Sequence, residues 1–485
     1  MRFELALSLL LTCGAASAAA DNDDRASSAP GCPISVSLDI KDPGRTLPAA
    51  FSGLSYEMAL VLPGSNGAYF FGPENKALVG MFQTLGIKSL RVGGNTAERD
   101  TVAIPGKADI DSLFAFAEAA GVEVIYTLPL GRSHPQASAE LAKYVMEHYR
   151  SNLTCFCLGN EPEKLAKDYA SYREMFARAI EVITAATNAP EAKFCGPSTT
   201  HKNAAWARQF AGDFGNDRRI ALVTQHEYPA RSGLSVVSAA AGCDTLLSAG
   251  LIGTYETLHK EFVPAVLTNG QRFRLEEANS FSNGGAPDVS DAFASALWGL
   301  DYLFWWAAHG AEGINFHSGG YVAGTRPRVP MRYAVFWNSD DGFAAHPLAY
   351  ALKAFELAGT GRLVTANLTS NPAHLNLTAY CVLGQDGSLR VILINKEYGP
   401  NARAAQVTLD SGNTCRGGQV MFLTAPGGDV QAKSGVTLGG AAIGSNGAWK
   451  GSWKPLTTPN ENGQFNVSLP AAAAAIVRLT AQQAF

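Results

Sequence analysis

Between residues 51 and 317, short apolar runs alternate with longer segments whose apolar positions recur every three or four residues. The first pattern suits strands buried on both faces and the second suits amphipathic helices, so this stretch reads as a parallel α/β fold. Eight strands are predicted, over 51–57, 89–94, 122–130, 154–161, 193–197, 221–228, 272–277 and 313–317. Helices are expected between them, most clearly at 110–120, 137–149, 169–186 and 289–308, the last entered through Pro287 and Asp288. Eight strand–helix units are the number that closes a (β/α)8 TIM barrel.

After about residue 350 the period drops to two. Segments 380–383 and 389–395 flank Gly384-Gln385-Asp386-Gly387-Ser388, a hairpin signal. Further alternating runs at 406–409, 419–423, 465–469 and 475–479 are separated by Gly-rich loops, which predicts an antiparallel β-sandwich. Ahead of the barrel, Ile34, Val36, Leu38 and Ile40 alternate with polar residues, so that segment is expected to join the sandwich. The expected layout is a barrel over 48–348 and a discontinuous sandwich over 33–47 plus 349–485. The Gly/Ala-rich stretch 434–451 reads as a loop.

With 47% hydrophobic and 16% charged residues, the chain can bury a large core and is not globally disordered. A formal charge of −4 and the absence of Lys/Arg runs exclude a general phosphate-backbone binder, so no nucleic-acid partner is expected. Residues 1–20 read as an export signal: Arg2, an apolar run over 5–12, and small residues at Ala16-Ser17-Ala18 or Ala18-Ala19-Ala20. That run is too short to span a bilayer, and no other charge-free stretch reaches membrane length. The mature chain is expected to be secreted (extracellular or periplasmic), monomeric and not membrane-bound. Removing Cys13 with the signal leaves seven cysteines, of which Cys381 and Cys415 are the disulfide candidate. Cys155, Cys157 and Cys195 read as buried free thiols. Sequons begin at Asn152, Asn367, Asn376 and Asn466.

Two strand-end carboxylates carry the chemistry: Glu161 in Leu158-Gly159-Asn160-Glu161-Pro162 and Glu277 in Leu275-Glu276-Glu277-Ala278-Asn279. Hydrolysing a glycosidic bond with retention needs one acid to protonate the leaving oxygen and one carboxylate to attack the sugar. In (β/α)8 enzymes such groups sit at C-terminal strand ends. Strand alternation leaves Glu276 and Glu277 as rival nucleophiles, since neighbours face opposite sides. Strand-end His226, Tyr228, Arg91 and Glu57 could equally be satisfied core groups. No metal or organic cofactor is expected, because the nine histidines form no His-x-x-x-His pair and Cys155-x-Cys157 is too tight for the usual zinc spacing.

In order along the chain stand Leu90-Arg91-Val92-Gly93-Gly94, the Asn160-Glu161-Pro162 block, Thr224-Gln225-His226-Glu227-Tyr228, Glu277 followed by Gly284-Gly285-Ala286-Pro287, and Gly319-Gly320-Tyr321. This series resembles glycoside hydrolase family 79, the β-glucuronidases and heparanases. The resemblance implies that Glu161 is the acid/base, Glu277 the nucleophile, and Asn160 a donor to the sugar 2-hydroxyl. It selects Glu277 over Glu276 by the step to Pro287. It further implies that Tyr228 hydrogen-bonds the nucleophile, that Arg91 lowers its pKa, and that Glu57 and His226 line the sugar site. Backbone N–H groups of Asn283, Gly284 and Gly285, with the Tyr321 hydroxyl, would read the glucuronate carboxylate. The expected function is a secreted retaining exo-β-glucuronidase acting on glucuronic-acid-containing glycans or glycosides, with 4-O-methylation left open. Its rivals are an endo-acting heparanase-like hydrolase, a relative cutting neutral glycosides, and a carbohydrate-binding protein on an inactive barrel. By role, Glu161 should have a raised pKa and Glu277 a lowered one.

Overall fold

The computed structural model describes residues 31–131, 135–322, 328–412 and 414–481, so the expected export segment lies outside the described residues. An N-terminal strand β1 (Cys32–Asp39) precedes eight barrel strands. These are β2 (Ser52–Glu57), β3 (Ser89–Gly93), β4 (Glu123–Leu128), β5 (Leu153–Leu158), β6 (Phe194–Thr199), β7 (Ile220–Glu227), β8 (Phe273–Ala278) and β9 (Ile314–His317). They form a closed barrel in chain order, all parallel, with β9 returning to β2 through Ser52↔Ile314. Every one overlaps its predicted segment, because strands covered by helices outside and side chains inside must be apolar throughout.

Helices α1 (Lys76–Thr84), α2 (Lys107–Ala120), α3 (Pro135–His148), α4 (Tyr169–Thr187), α5 (Ala204–Asp213), α6 (Ala239–Leu247), α7 (Ile252–Thr268), α8 (Phe293–Ala308) and α9 (Pro347–Ala358) follow the strands. Helix α8 starts at Phe293 rather than at 289. Residues before it are held in a turn by Ala286 N donating to Ser290 Oγ at 2.9 Å, with Asp288 at φ 60°. Its buried residues cover nearly its whole circumference, because it is packed between the barrel and a β-sheet. Helix α9 packs on α8, so the expected boundary at 348/349 falls inside the barrel's last helix, which ends at Ala358.

Beyond a hairpin of β10 (Phe336–Ser339) and β11 (Gly342–Ala345), the remaining strands are β12 (Gly361–Ser370), β13 (Leu377–Gly384), β14 (Leu389–Asn395), β15 (Ala405–Asp410), β16 (Cys415–Thr424), β17 (Thr437–Leu438), β18 (Lys454–Pro455), β19 (Gln464–Leu469) and β20 (Ala473–Ala481). They join β1 in one ten-stranded sheet, nine of them along the path β17-β16-β20-β14-β13-β12-β1-β15-β19, with β18 on β16. The path curls on itself around a core of Ile34, Val36, Val391, Leu409, Val467 and Val477. One pair departs from the antiparallel expectation: β1 runs parallel to β15. No hairpin joins those two strands, so nothing forces them antiparallel.

The expected Cys381–Cys415 disulfide is absent, and both are buried free thiols, as are Cys155, Cys157 and Cys195. Strands β14 and β20 lie between β13 and β16 in the sheet. Three interstrand spacings of roughly 4.8 Å exceed the span of a disulfide. No described helix is long and apolar enough to cross a membrane.

Candidate active site

The two glutamates meet over the C-terminal end of the barrel. Past β5 the chain turns through Gly159 (φ 85°) and Glu161 (φ 47°), and Glu161 N donates to Ser198 O at 3.0 Å. A non-glycine residue in the left-handed region is costly and is retained where surroundings fix it. The Glu161 carboxylate lies 3.3 Å from His226 Nδ1 and also pairs with Lys164. One carboxylate oxygen each of Glu161 and Glu277 and a His226 nitrogen all fall within 4.8 Å of one another.

The choice between Glu276 and Glu277 is governed by a bulge. Gln225 pairs with Leu275 and His226 with Glu277, leaving Glu276 as the extra residue, and β8 slips likewise against β9 between Leu275 and Ala278. A bulge breaks strict alternation, so both carboxylates reach the interior at different depths. Glu276 is wholly buried, accepting from Cys157 Sγ at 3.4 Å and facing His226 Nε2 at 3.5 Å. Glu277 accepts from Tyr228 Oη at 2.9 Å and Arg91 Nη1 at 2.8 Å, with His317 Nδ1 at 3.8 Å.

Arg91 organises this cluster. Its fully buried guanidinium donates to Glu277, to Asn160 Oδ1 at 2.6 Å and to Ser55 Oγ at 3.2 Å. The space it occupies depends on Gly93, where a Cβ would stand 2.3 Å from Thr127 Oγ1 and 2.8 Å from Arg91 Cζ. Burial lowers the Arg91 pKa, but Glu276 and Glu277 outweigh it and the group stays charged. Burial raises Glu277 and Glu276 alike. The histidines and Arg91, with the Tyr228 hydrogen bond, hold Glu277 far below the usual carboxylate range. His226 and Arg91 bring Glu276 down to about 2. His226 is the group carried upward, to about 10, because Glu277, Glu161 and Glu276 overcome its burial. This corrects the expectation for Glu161. Burial and Glu277 push its pKa up, but the His226 hydrogen bond and charge and Lys164 prevail, and the net shift is downward.

Of the other residues singled out in the sequence, Glu57 sits beside the cluster. It accepts from Thr96 N at 2.8 Å and Thr96 Oγ1 at 2.6 Å, with His317 Nε2 at 3.8 Å. Gly284 and Gly285 (φ 86° and 90°) are buried in a turn packed against the Arg332–Tyr333 segment, where Arg332 N donates to Gly284 O at 2.6 Å. Asn283 is turned outward instead: its side chain is exposed and Nδ2 donates to Ser232 Oγ at 2.9 Å. Tyr321 is 45% exposed, with its ring against Trp337 and Arg328 rather than in the carboxylate cluster. Two residues were missed. His317 ends the eighth barrel strand and could have been found by position alone. Tyr333, buried with its ring centroid 6.0 Å from that of Tyr228, lies in an irregular segment with no periodic signal. A second trio, Cys157, Cys195 and Glu276, also lies within 4.8 Å, deeper in the barrel. Its members come from three strands, so no local metal motif could announce it.

Residues 379–476 match the model of the glycosyl hydrolase family 79 C-terminal beta domain. A β-glucuronidase of Aspergillus niger is 40% identical over 53 residues, a stretch covering 11% of this chain and 10% of that enzyme's length. The solved 4-O-α-L-rhamnosyl-β-D-glucuronidase of Fusarium oxysporum 12S superposes with a TM-score of 0.71 at 18% identity, over 92% of this chain and 98% of that one. The family 51 arabinofuranosidase of Xanthomonas axonopodis pv. citri gives 0.66 at 14% identity, over 93% and 100%. Both structures share the fold. The C-terminal sheet of this chain thus carries the family 79 C-terminal β domain, attached to a barrel of the fold that these solved glycosidases share.

Proposed function

We propose that this protein is an exported retaining exo-β-glucuronidase that removes terminal β-linked glucuronate from glycans or glycosides. The observation that carries the reading is the approach of the Glu161 and Glu277 oxygens to within 4.8 Å. Retaining enzymes hold their two carboxyl groups about 5–5.5 Å apart, whereas inverting ones need about 6.5–9.5 Å for an intervening water. The Aspergillus and Fusarium enzymes, both named for glucuronidase activity, support the sugar class.

In the first step Glu277 bonds to the anomeric carbon while the Glu161 carboxyl gives its proton to the departing oxygen. In the second, Glu161 takes a proton from water, the water oxygen attacks the same carbon and Glu277 leaves. Hydrogen bonds from Arg91 and Tyr228 keep Glu277 ionised for attack. Because Asn160 Oδ1 accepts from Arg91, its amide nitrogen is left to donate to the sugar 2-hydroxyl. Backbone around Gly284 and Gly285, with Tyr321, is the proposed carboxylate-reading wall, and Tyr333 packs directly behind that turn.

Turnover of chromogenic β-glucuronide and β-glucoside, with the first-formed anomer followed by proton NMR, tests this. Expected are glucuronide preference, a β product, and a Glu277→Gln variant at least about 10³-fold slower. Preferential glucoside cleavage, an α product, or a fully active Glu277→Gln would overturn it.

A further inference from the structure

Of the carboxylates in the catalytic cluster, Glu276 is the one that the double displacement leaves without a task. It is wholly buried, and it is held by two thiols, Cys157 Sγ at 3.4 Å and Cys195 Sγ at 3.9 Å, and by the Ser198 hydroxyl. Thiols are weak donors. The Arg91 guanidinium bonds Glu277, Asn160 and Ser55 and reaches Glu276 only through its charge. Burying a carboxylate on such partners costs free energy that an apolar side chain of similar size would not incur. Packing therefore gives no reason for a glutamate here.

The group that Glu276 faces is His226, whose ring stands between two carboxylates. Nδ1 points to Glu161 Oε1 at 3.3 Å, and Nε2 points to Glu276 Oε1 at 3.5 Å. Among the described residues no hydrogen bond of ordinary geometry reaches the buried Nε2, which leaves the Glu276 charge as its partner. The other charges around the ring are Glu277, with Oε1 4.0 Å from Nδ1, and Arg91, which opposes protonation. Lys164 pairs with Glu161. A neutral imidazole keeps one ring proton, and the group facing each nitrogen decides where that proton sits.

We propose that Glu276 is a positioning residue of the acid/base pair: it keeps a proton on His226 Nε2, so that Nδ1 is the nitrogen that exchanges the catalytic proton with Glu161. In the first step the Glu161–His226 pair gives one proton to the leaving oxygen and ends as a carboxylate and a neutral ring, with Nε2–H directed at Glu276. In the second, water returns one proton to the pair as its oxygen bonds the anomeric carbon and Glu277 departs. No proton passes to Glu276, which orients the ring and stabilises its charged form as the aspartate of a Ser-His-Asp triad does. The inference rests on the glucuronidase reading and adds one residue to its machinery.

The test compares kcat/KM on phenyl and dinitrophenyl β-D-glucuronide for wild type, Glu276→Gln and Glu276→Asp, with the His226 ring followed by nitrogen NMR across pH. Dinitrophenolate leaves without a proton, whereas phenolate needs one from the acid. Glu276→Gln is expected to lose about tenfold or more on the phenyl substrate, with its alkaline limb at lower pH, and less than about threefold on the dinitrophenyl one, which doubles as the folding control. Glu276→Asp keeps the charge farther from Nε2, so the same selective loss is expected in smaller degree. In the spectra of Glu276→Gln the ring is expected to lose its proton at lower pH than in wild type. Equal losses on the two substrates, or a His226 titration that the substitutions leave in place, would overturn the proposal and leave the glucuronidase reading standing. If neither glucuronide is turned over while aryl β-glucosides are, the glucuronidase reading fails, and the phenyl and dinitrophenyl β-glucosides with the same titration decide the role of Glu276.

Discussion

Glu161 and His226 face each other at 3.3 Å with Glu277 and Glu276 close by, and their opposite shifts mean that the pair retains one proton across the neutral range. Two such groups titrate as a unit. In the proposed mechanism the proton that Glu161 delivers is held between an oxygen and Nδ1, and is lost only as pH rises toward the His226 value of about 10. Replacing His226 by Gln removes that reservoir, and Glu161 then titrates alone, below that value. The alkaline limb of the kcat/KM profile is expected to move to lower pH, with a roughly 10²-fold fall in the maximum. A profile whose alkaline limb stays in place would show that His226 only packs. That Glu161 and His226 are neighbours could not be read along the chain, since 64 residues separate them and only barrel closure joins β5 to β7.

At the scale of elements, the bulge in β8 gives the site its two-tiered charge. A regular strand would turn Glu276 toward the helices, whereas here it lies under Glu277, against His226 and two thiols. Its folded pKa is lowered from 4.5 to about 2, so folding favours the ionised form. The stability this contributes is complete above about pH 4.5 and is lost as pH falls through about 2. Thermal unfolding of wild type and Glu276→Gln across that window is expected to show a Tm gap that is wide at pH 6 and narrows toward pH 2. A gap independent of pH would mean that Glu276 is not ionised in the fold. The eight strands were legible as apolar runs, but β8 is buried on both faces and shows no alternation for a one-residue bulge to shift, so the bulge leaves no trace in sequence.

Across the whole molecule, the barrel and the curled sheet are joined through α8. Asp301 forms a buried ion pair with Lys396 Nζ at 2.6 Å and accepts from Thr378 Oγ1 at 2.8 Å and Tyr380 Oη at 2.7 Å. Removing one partner of a buried pair leaves an uncompensated charge, so Asp301→Ala is expected to cost about 3–5 kcal/mol in denaturant unfolding, and Asp301→Leu with Lys396→Met to recover much of it. A loss below about 1 kcal/mol would mean that water reaches Lys396. The sequence by itself determined the eight-strand barrel, the return of residues 32–39 to the C-terminal sheet and the two strand-end glutamates, because hydrophobic period and strand-end position are local properties. Only the tertiary structure decided that Glu276 lies beneath Glu277, that His226 carries the raised pKa, that Tyr321 stands outside the carboxylate cluster and that Cys381 and Cys415 stay apart. Each of those depends on distances between strands remote in the chain, and on the burial that sets the strength of every charge among them.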